Sequence, residues 1–143
     1  MYDSSIANNT GTTGKGVYVK GGDGTPSKID AVFIMGGTAC VGTWANAGTL
    51  QDGNDVYLDK NLGSGNLVNI NIDKDKPITK PKAARITPAY YTANEIVLRM
   101  WNSLDNSSPT TGGAYNDKFT VTPQTFPAQQ WEVTGDGQLQ RKP

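Results

Sequence analysis

From residue 16 onward the hydrophobic positions fall in short runs that alternate with polar ones, and turn residues break every run. Alternation with period two belongs to the β-strand, whose successive side chains point to opposite faces. The clearest case is 67–73 (LVNINID), which predicts Val68, Ile70 and Ile72 on a core face and Asn69, Asn71 and Asp73 on a wet one. Residues 55–59 read the same way, with Val56 and Leu58 inward and Asp55, Tyr57 and Asp59 outward. Residues 29–35 are apolar on both faces, which predicts a strand covered on both sides. In 94–103, Ile96, Leu98 and Met100 alternate with Val97, Arg99 and Trp101. Good helix formers such as Glu95 and Leu98 leave a helical turn open there, but Ile96, Val97, Trp101 and the flanking turns favour a strand. Shorter strands are predicted over 17–19, 39–46, 83–91, 118–122 and 131–133.

Between these runs lie Gly21-Gly22-Asp23-Gly24, Gly36-Gly37, Asp52-Gly53 and Gly135-Asp136-Gly137, sequences that suit tight reversals. Lys74 to Lys82 carries Pro77 and Pro81 among alternating lysines, which excludes a central strand and predicts an extended crossover or an edge. No helical segment separates the runs, and nothing recurs at a fixed long period, which argues against a solenoid or propeller. The expected fold is therefore all-β, an antiparallel β-sandwich or jelly roll of about eight or nine short strands. Residues 1–15, rich in Ser, Thr, Asn and Gly, are expected to form a flexible N-terminal arm, residues 16–137 the β-sandwich domain, and residues 138–143 a polar tail.

Composition narrows the function more than it names one. Thirteen basic residues balance thirteen acidic ones, and a protein that grips nucleic acid or an anionic membrane ordinarily has a basic surplus, so neither is expected as a partner. Lys74, Lys76, Lys80, Lys82 and Arg85 form the one candidate basic patch. Histidine is absent, which removes the usual general base and the commonest metal ligand. Cys40 stands alone, which excludes an intrachain disulfide and a four-cysteine zinc site, and it reads as a small buried hydrophobe. In Asn69-x-Asn71-x-Asp73-x-Asp75 the oxygen ligands suit calcium, but Lys76 and Lys82 stand where a calcium loop needs its glycine and glutamate. Carboxylate pairs such as Asp52 with Asp55 or Asp55 with Asp59 read as turn and surface residues, and the glycines at 21–24 lack the Lys-Ser/Thr of a phosphate loop. No apolar run approaches the length of a membrane helix, and the first residues lack the basic start and apolar run of a secretory signal. No catalytic residue, cofactor or metal site is assigned, and a non-enzymatic role is expected.

The arm at 1–15, the cysteine-poor, histidine-free β body and the closing run Arg85-Ile86-Thr87-Pro88 … Asn94 to Asn102 … Phe119-Thr120-Val121-Thr122-Pro123 together resemble the small all-β decoration, or cement, proteins of tailed bacteriophages. That resemblance implies a virion structural protein made in the host cytoplasm and placed on the capsid exterior. It would bridge copies of the major capsid protein, often as a homo-oligomer, a dimer or trimer. The residues expected to make contact are Tyr2 and Ile6 of the arm and Lys74, Lys76, Lys80 and Lys82 of the Pro-Lys segment. The alternative from the residues themselves is a carbohydrate-binding or adhesive module, in which Trp44, Trp101, Trp131, Tyr90 and Tyr91 stack on sugar rings.

Overall fold

A computed structural model describes residues 1–22, 31–45, 48–60, 67–101, 110–111 and 113–143. The strands are β1 (Ser5–Ile6), β2 (Val17–Lys20), β3 (Ala31–Met35), β4 (Cys40–Val41), β5 (Val56–Asp59) and β6 (Val68–Asp73) in the first half. The second half adds β7 (Ala84–Pro88), β8 (Leu98–Trp101), β9 (Thr110–Thr111), β10 (Phe119–Val121), β11 (Trp131–Val133) and β12 (Leu139–Arg141). Among the described residues the helical element is a 3₁₀ turn at Gly113–Lys118. The alternating pattern thus placed strands where strands occur, including β8 in the segment where a helical turn stayed open. Residues 23–24 of the glycine-rich turn, the start of the 29–35 run, residue 46 and residues 102–103 lie outside the described residues.

The expected antiparallel sandwich or jelly roll is overturned by the pairing. One four-stranded sheet has the order β10-β7-β5-β2 and every neighbour in it is parallel. The other has the order β3-β6-β8-β9, parallel until β9 joins antiparallel. Successive long strands alternate between the sheets: β2, β5, β7 and β10 enter the first, and β3, β6 and β8 enter the second. The chain therefore winds as a short coil of stacked turns, a solenoid-like course that the lack of a fixed period had argued against, each turn taking roughly 30 to 40 residues to return to the same sheet. Parallel strands need such a crossover, and without helices the opposite sheet serves as the return path.

Register explains why this winding suits the sequence. Val17, Val56, Ile86 and Val121 stand side by side across the first sheet, and Phe33, Ile70 and Leu98 across the second. Parallel sheets expose two faces that must be covered. Here the inner faces cover each other, and Val56, Ile70, Ile72, Ile86 and Leu98 join one core with no exposed surface. Burying each such side chain contributes about 1.5–3 kcal/mol. Gly16 makes the first turn fit against the second: a Cβ there would lie 2.5 Å from Val41 Cγ1 and 2.7 Å from the Asp55 carbonyl oxygen.

Three further expectations are corrected. Strand β3 is not covered on both sides, since Val32 is exposed. Strand β6 is buried along its whole length, so Asn69, Asn71 and Asp73 lie on a covered face rather than a wet one. The Tyr2 hydroxyl covers Asp73, and the short Asn69 and Asn71 side chains stand beside the larger Val32, Ile34 and Arg99 on the neighbouring strands. The segment read as a polar tail carries β12, which pairs antiparallel with β11 and puts Leu139 fully inside the core.

Candidate functional site

The first fifteen residues were expected to be loose, and the structure docks them on the body. The Met1 ammonium donates to the Ile34 carbonyl at 2.6 Å, and Gly36 N–H donates back to the Met1 carbonyl at 3.1 Å. Strand β1 then pairs in parallel with β4, placing Ile6 beside Val41. Further along, Asn8 N–H donates to Asp52 Oδ2, Asn9 N–H to Asn54 Oδ1 and Lys15 N–H to Asp55 Oδ1. Short polar residues supply the reason, because their backbone groups find acceptors on Asp and Asn side chains where an apolar face is lacking.

The Pro-Lys segment links β6 to β7 as the predicted crossover, and it meets the arm. The Lys76 ammonium pairs with Asp3 Oδ2 and lies 5.8 Å from the centre of the Tyr2 ring. Asp3 Oδ1 also accepts from Thr38 N–H at 2.8 Å. The Asp3 carboxyl is held below the usual carboxylate range, first by its bond to Lys76 and then by Thr38. The Tyr2 hydroxyl donates to Asp73 Oδ2 at 2.6 Å, and that bond, with burial and the Asp73 charge, pushes the phenol up to about 12. Of the six predicted contact residues, Tyr2 and Lys76 are thus spent on each other and on the body. Ile6 is half-buried beside β4, and Lys74 is exposed at the turn after β6.

Lys80 and Lys82 line an open cleft of about 800 Å³ together with the arm residues Asp3, Ser4, Ser5 and Ala7, while Ile6 does not line it. Its floor holds Cys40, and its far wall holds Thr43 and Trp44. The cleft joins a half-exposed indole, two lysines and several hydroxyls, which equips it to bind a polar or acidic partner. Trp44 Nε1 donates to the Val41 carbonyl at 3.0 Å, which fixes the ring. Lys82 Nζ donates to the Asp117 carbonyl at 2.5 Å, so Lys80 is the more outward of the two lysines. Sequence reasoning found the two lysines and the arm but missed Thr43 and the floor, which only the parallel β1–β4 pairing brings under them.

Cys40 and Asp52 are both held by neighbouring groups. The Cys40 Sγ–H donates to the Gly42 carbonyl at 3.3 Å, and burial pushes its thiol up, which suppresses the nucleophilic thiolate. Asp52 is committed to Asn8 N–H, Asn54 N–H and Thr43, bonds that outweigh its burial and hold its carboxyl down. Asp73 likewise accepts from Tyr2 and from Asp75 N–H at 2.8 Å, so the Asn71–Asp75 row forms a turn on a buried strand and no open cage. Among the described residues no group of three or more His, Cys, Asp or Glu side chains is placed to hold a metal ion.

Among the described residues, the aromatic side chains weighed as a sugar platform do not gather at one place. Trp131 is buried, 5.6 Å from Tyr91, with its Nε1 donating to Gln124 Oε1 at 3.1 Å, whereas Tyr90 is exposed and Trp44 belongs to the cleft. The side chain of Trp101 lies outside the described residues. No helix among the described residues is long and apolar enough to cross a membrane. Set against known protein families, curated proteins and solved structures, the chain matches none of them.

Proposed function

We propose that the protein works by binding rather than catalysis, as a virion structural protein that decorates or cements a capsid from outside and bridges copies of the major capsid protein. One observation supports this reading above others: the arm and the Pro-Lys segment, separate in sequence, converge on a single cleft with Lys80 on its rim. A cleft assembled from docked segments is pre-organised, and a partner that fills it avoids most of the entropy of ordering a loose arm. Acidic or hydroxyl-rich loops on a shell subunit are the complement that Lys80, Lys82 and Thr43 would meet. Repetition of a modest contact over a symmetric shell, by a dimer or trimer of this chain, would raise the overall grip without any new contact.

The test is co-sedimentation with empty shells assembled from the major capsid protein of the particle that carries this chain. Wild-type protein should pellet with the shells, and Lys80→Glu with Thr43→Arg should reduce binding about tenfold or more while the fold is kept, since both residues are exposed. Shells that ignore the wild-type chain would remove the reading. Equal pelleting of the double variant would move the contact away from the cleft.

A further inference from the structure

We infer that the outer face of the β10-β7-β5-β2 sheet holds a binding site for one hexopyranose ring of a saccharide. In the parallel register, outward residues of successive turns stand side by side, and here they read Tyr18, Tyr57, Thr87 and then Thr122. Tyr18 and Tyr57 stack with ring centres 5.2 Å apart and planes inclined by 23°. Two large side chains are thus followed by two small ones, and the row steps down where the Tyr57 ring ends. The step opens a groove of about 250 Å³, walled by Tyr57, floored by Thr87 and Thr122, and flanked by Asp55 and Arg85. That volume sits just below the roughly 300–1,000 Å³ of drug-sized sites, which suits one sugar ring and excludes a large ligand.

The chemistry of the lining chooses the ligand. The face of Tyr57 away from Tyr18 is a flat apolar wall of the kind that sugar C–H groups pack against. Neighbouring strands lie about 4.8 Å apart, so the two threonine hydroxyls sit one and two strand spacings beyond that wall. The Thr87 and Thr122 oxygens are 2.6 Å apart, and the one hydroxyl hydrogen not used between them is left for a ligand. Arg85 is anchored by Nη2 on the Gly53 carbonyl at 2.8 Å, while its Nε–H is buried with no acceptor in the protein. Asp55 is buried and receives Lys15 N–H at 3.0 Å. Lys15 lines the groove as well. Donors and acceptors of both signs within one small groove fit hydroxyl groups, each of which donates and accepts. Gly14 keeps the entrance low: its φ is 59°, and a Cβ there would lie 3.0–3.2 Å from the Tyr18 and Tyr57 side chains.

This site shares no residue with the cleft bounded by Lys80 and does not depend on the capsid reading. The experiment is saturation-transfer NMR with the methyl glycosides of glucose, galactose and mannose, alongside methyl glucuronide. At least one of the four glycosides should bind, and Tyr57→Leu, which removes the wall, and Thr87→Tyr, which fills the floor, should each weaken it about tenfold or more. The two variants act from opposite directions, so a folding defect in one leaves the other to decide, and Lys80→Glu should leave sugar binding unchanged. Absence of binding by all four glycosides, or unchanged binding in a folded variant, would overturn the proposal.

Discussion

A designed disulfide tests the parallel coil directly. Lys20 and Asp59 are partners in register across β2 and β5, both on the outer face, and an antiparallel sandwich would have no reason to bring them together. Adjacent strands lie about 4.8 Å apart, inside the roughly 4.4–6.8 Å Cα separation that a disulfide accepts. Lys20→Cys with Asp59→Cys, in a Cys40→Ala background, should therefore cross-link under mild oxidation. The bond closes a loop of about 39 residues, for which chain entropy sets a ceiling near 3.9 kcal/mol at 25 °C. Losing the Asp59 carboxylate removes its 2.6 Å bond from the exposed Tyr18 hydroxyl, a small deduction. A net gain of about 2–3 kcal/mol is expected, which raises the thermal midpoint by roughly 6–12 °C over the reduced form. The assay is non-reducing electrophoresis with calorimetry of both forms. The displaced pair Lys20→Cys with Tyr57→Cys, two residues out of register, should form little bond. A folded protein in which the registered pair stays reduced, or in which the displaced pair closes as readily, would refute the topology.

Other perturbations follow from the same packing. Gly16→Ala should destabilise by about 1–3 kcal/mol in chemical denaturation, because its Cβ would meet backbone at Asp55 and the Val41 side chain, and a wild-type midpoint would show that the turns are not in close contact there. Deleting residues 2–9 removes the β1–β4 pairing and the Tyr2–Asp73 bond, so the thermal midpoint should fall by about 5 °C or more, whereas a loose arm would leave it unchanged. Tyr2 and Tyr18 should stay protonated beyond the ordinary tyrosine range, to about pH 12, in an ultraviolet tyrosinate titration. Since their folded pKa values are raised above the unfolded 10.0, the stability they contribute is complete below pH 10 and is lost as pH rises through about 12. Asp73→Asn should return the Tyr2 transition toward pH 10.

How far the sequence could be read depends on what each signal encodes. Alternation along one strand is local, so β5, β6, β8 and β10 were legible from Val56 and Leu58, from Val68, Ile70 and Ile72, and from their counterparts. Pairing direction is a relation between distant segments, and an alternating strand looks the same in a parallel neighbourhood as in an antiparallel one. The coil has no fixed period because its connections differ in length, and its ladders use Val, Ile, Leu and Phe interchangeably, as Phe33, Ile70 and Leu98 show. Asn69 and Asn71 misled for a related reason: polar residues usually mark a wet face, yet both amide oxygens are buried without a partner. The cleft was half legible, since Lys80, Lys82 and the arm stood out by composition. The sugar groove was not legible at all, because Tyr57, Arg85, Thr87 and Thr122 become neighbours only through the register.

The ends of the coil constrain how this protein can bind anything. A parallel stack leaves unpaired backbone groups on its first and last turns, and such edges invite other strands. At the first turn Met1 and Tyr2 run beside Ile34 and Gly36, and β1 continues along β4, so the arm covers an edge it would otherwise have been free to offer. At the other end the β11–β12 hairpin packs against β10, and Gly137 and Leu139 meet the backbone of Glu95 to Leu98. Adding a strand beside Ile34 and Gly36, or beside β4, would first require displacing the arm. Preformed side-chain surfaces bind without that penalty, and the chain offers two, the lysine-rimmed cleft where the arm has docked and the stepped groove on the sheet face. Binding at either one would therefore leave the arm where it is. The same docked residues that were expected to reach outward instead hold the cleft in shape.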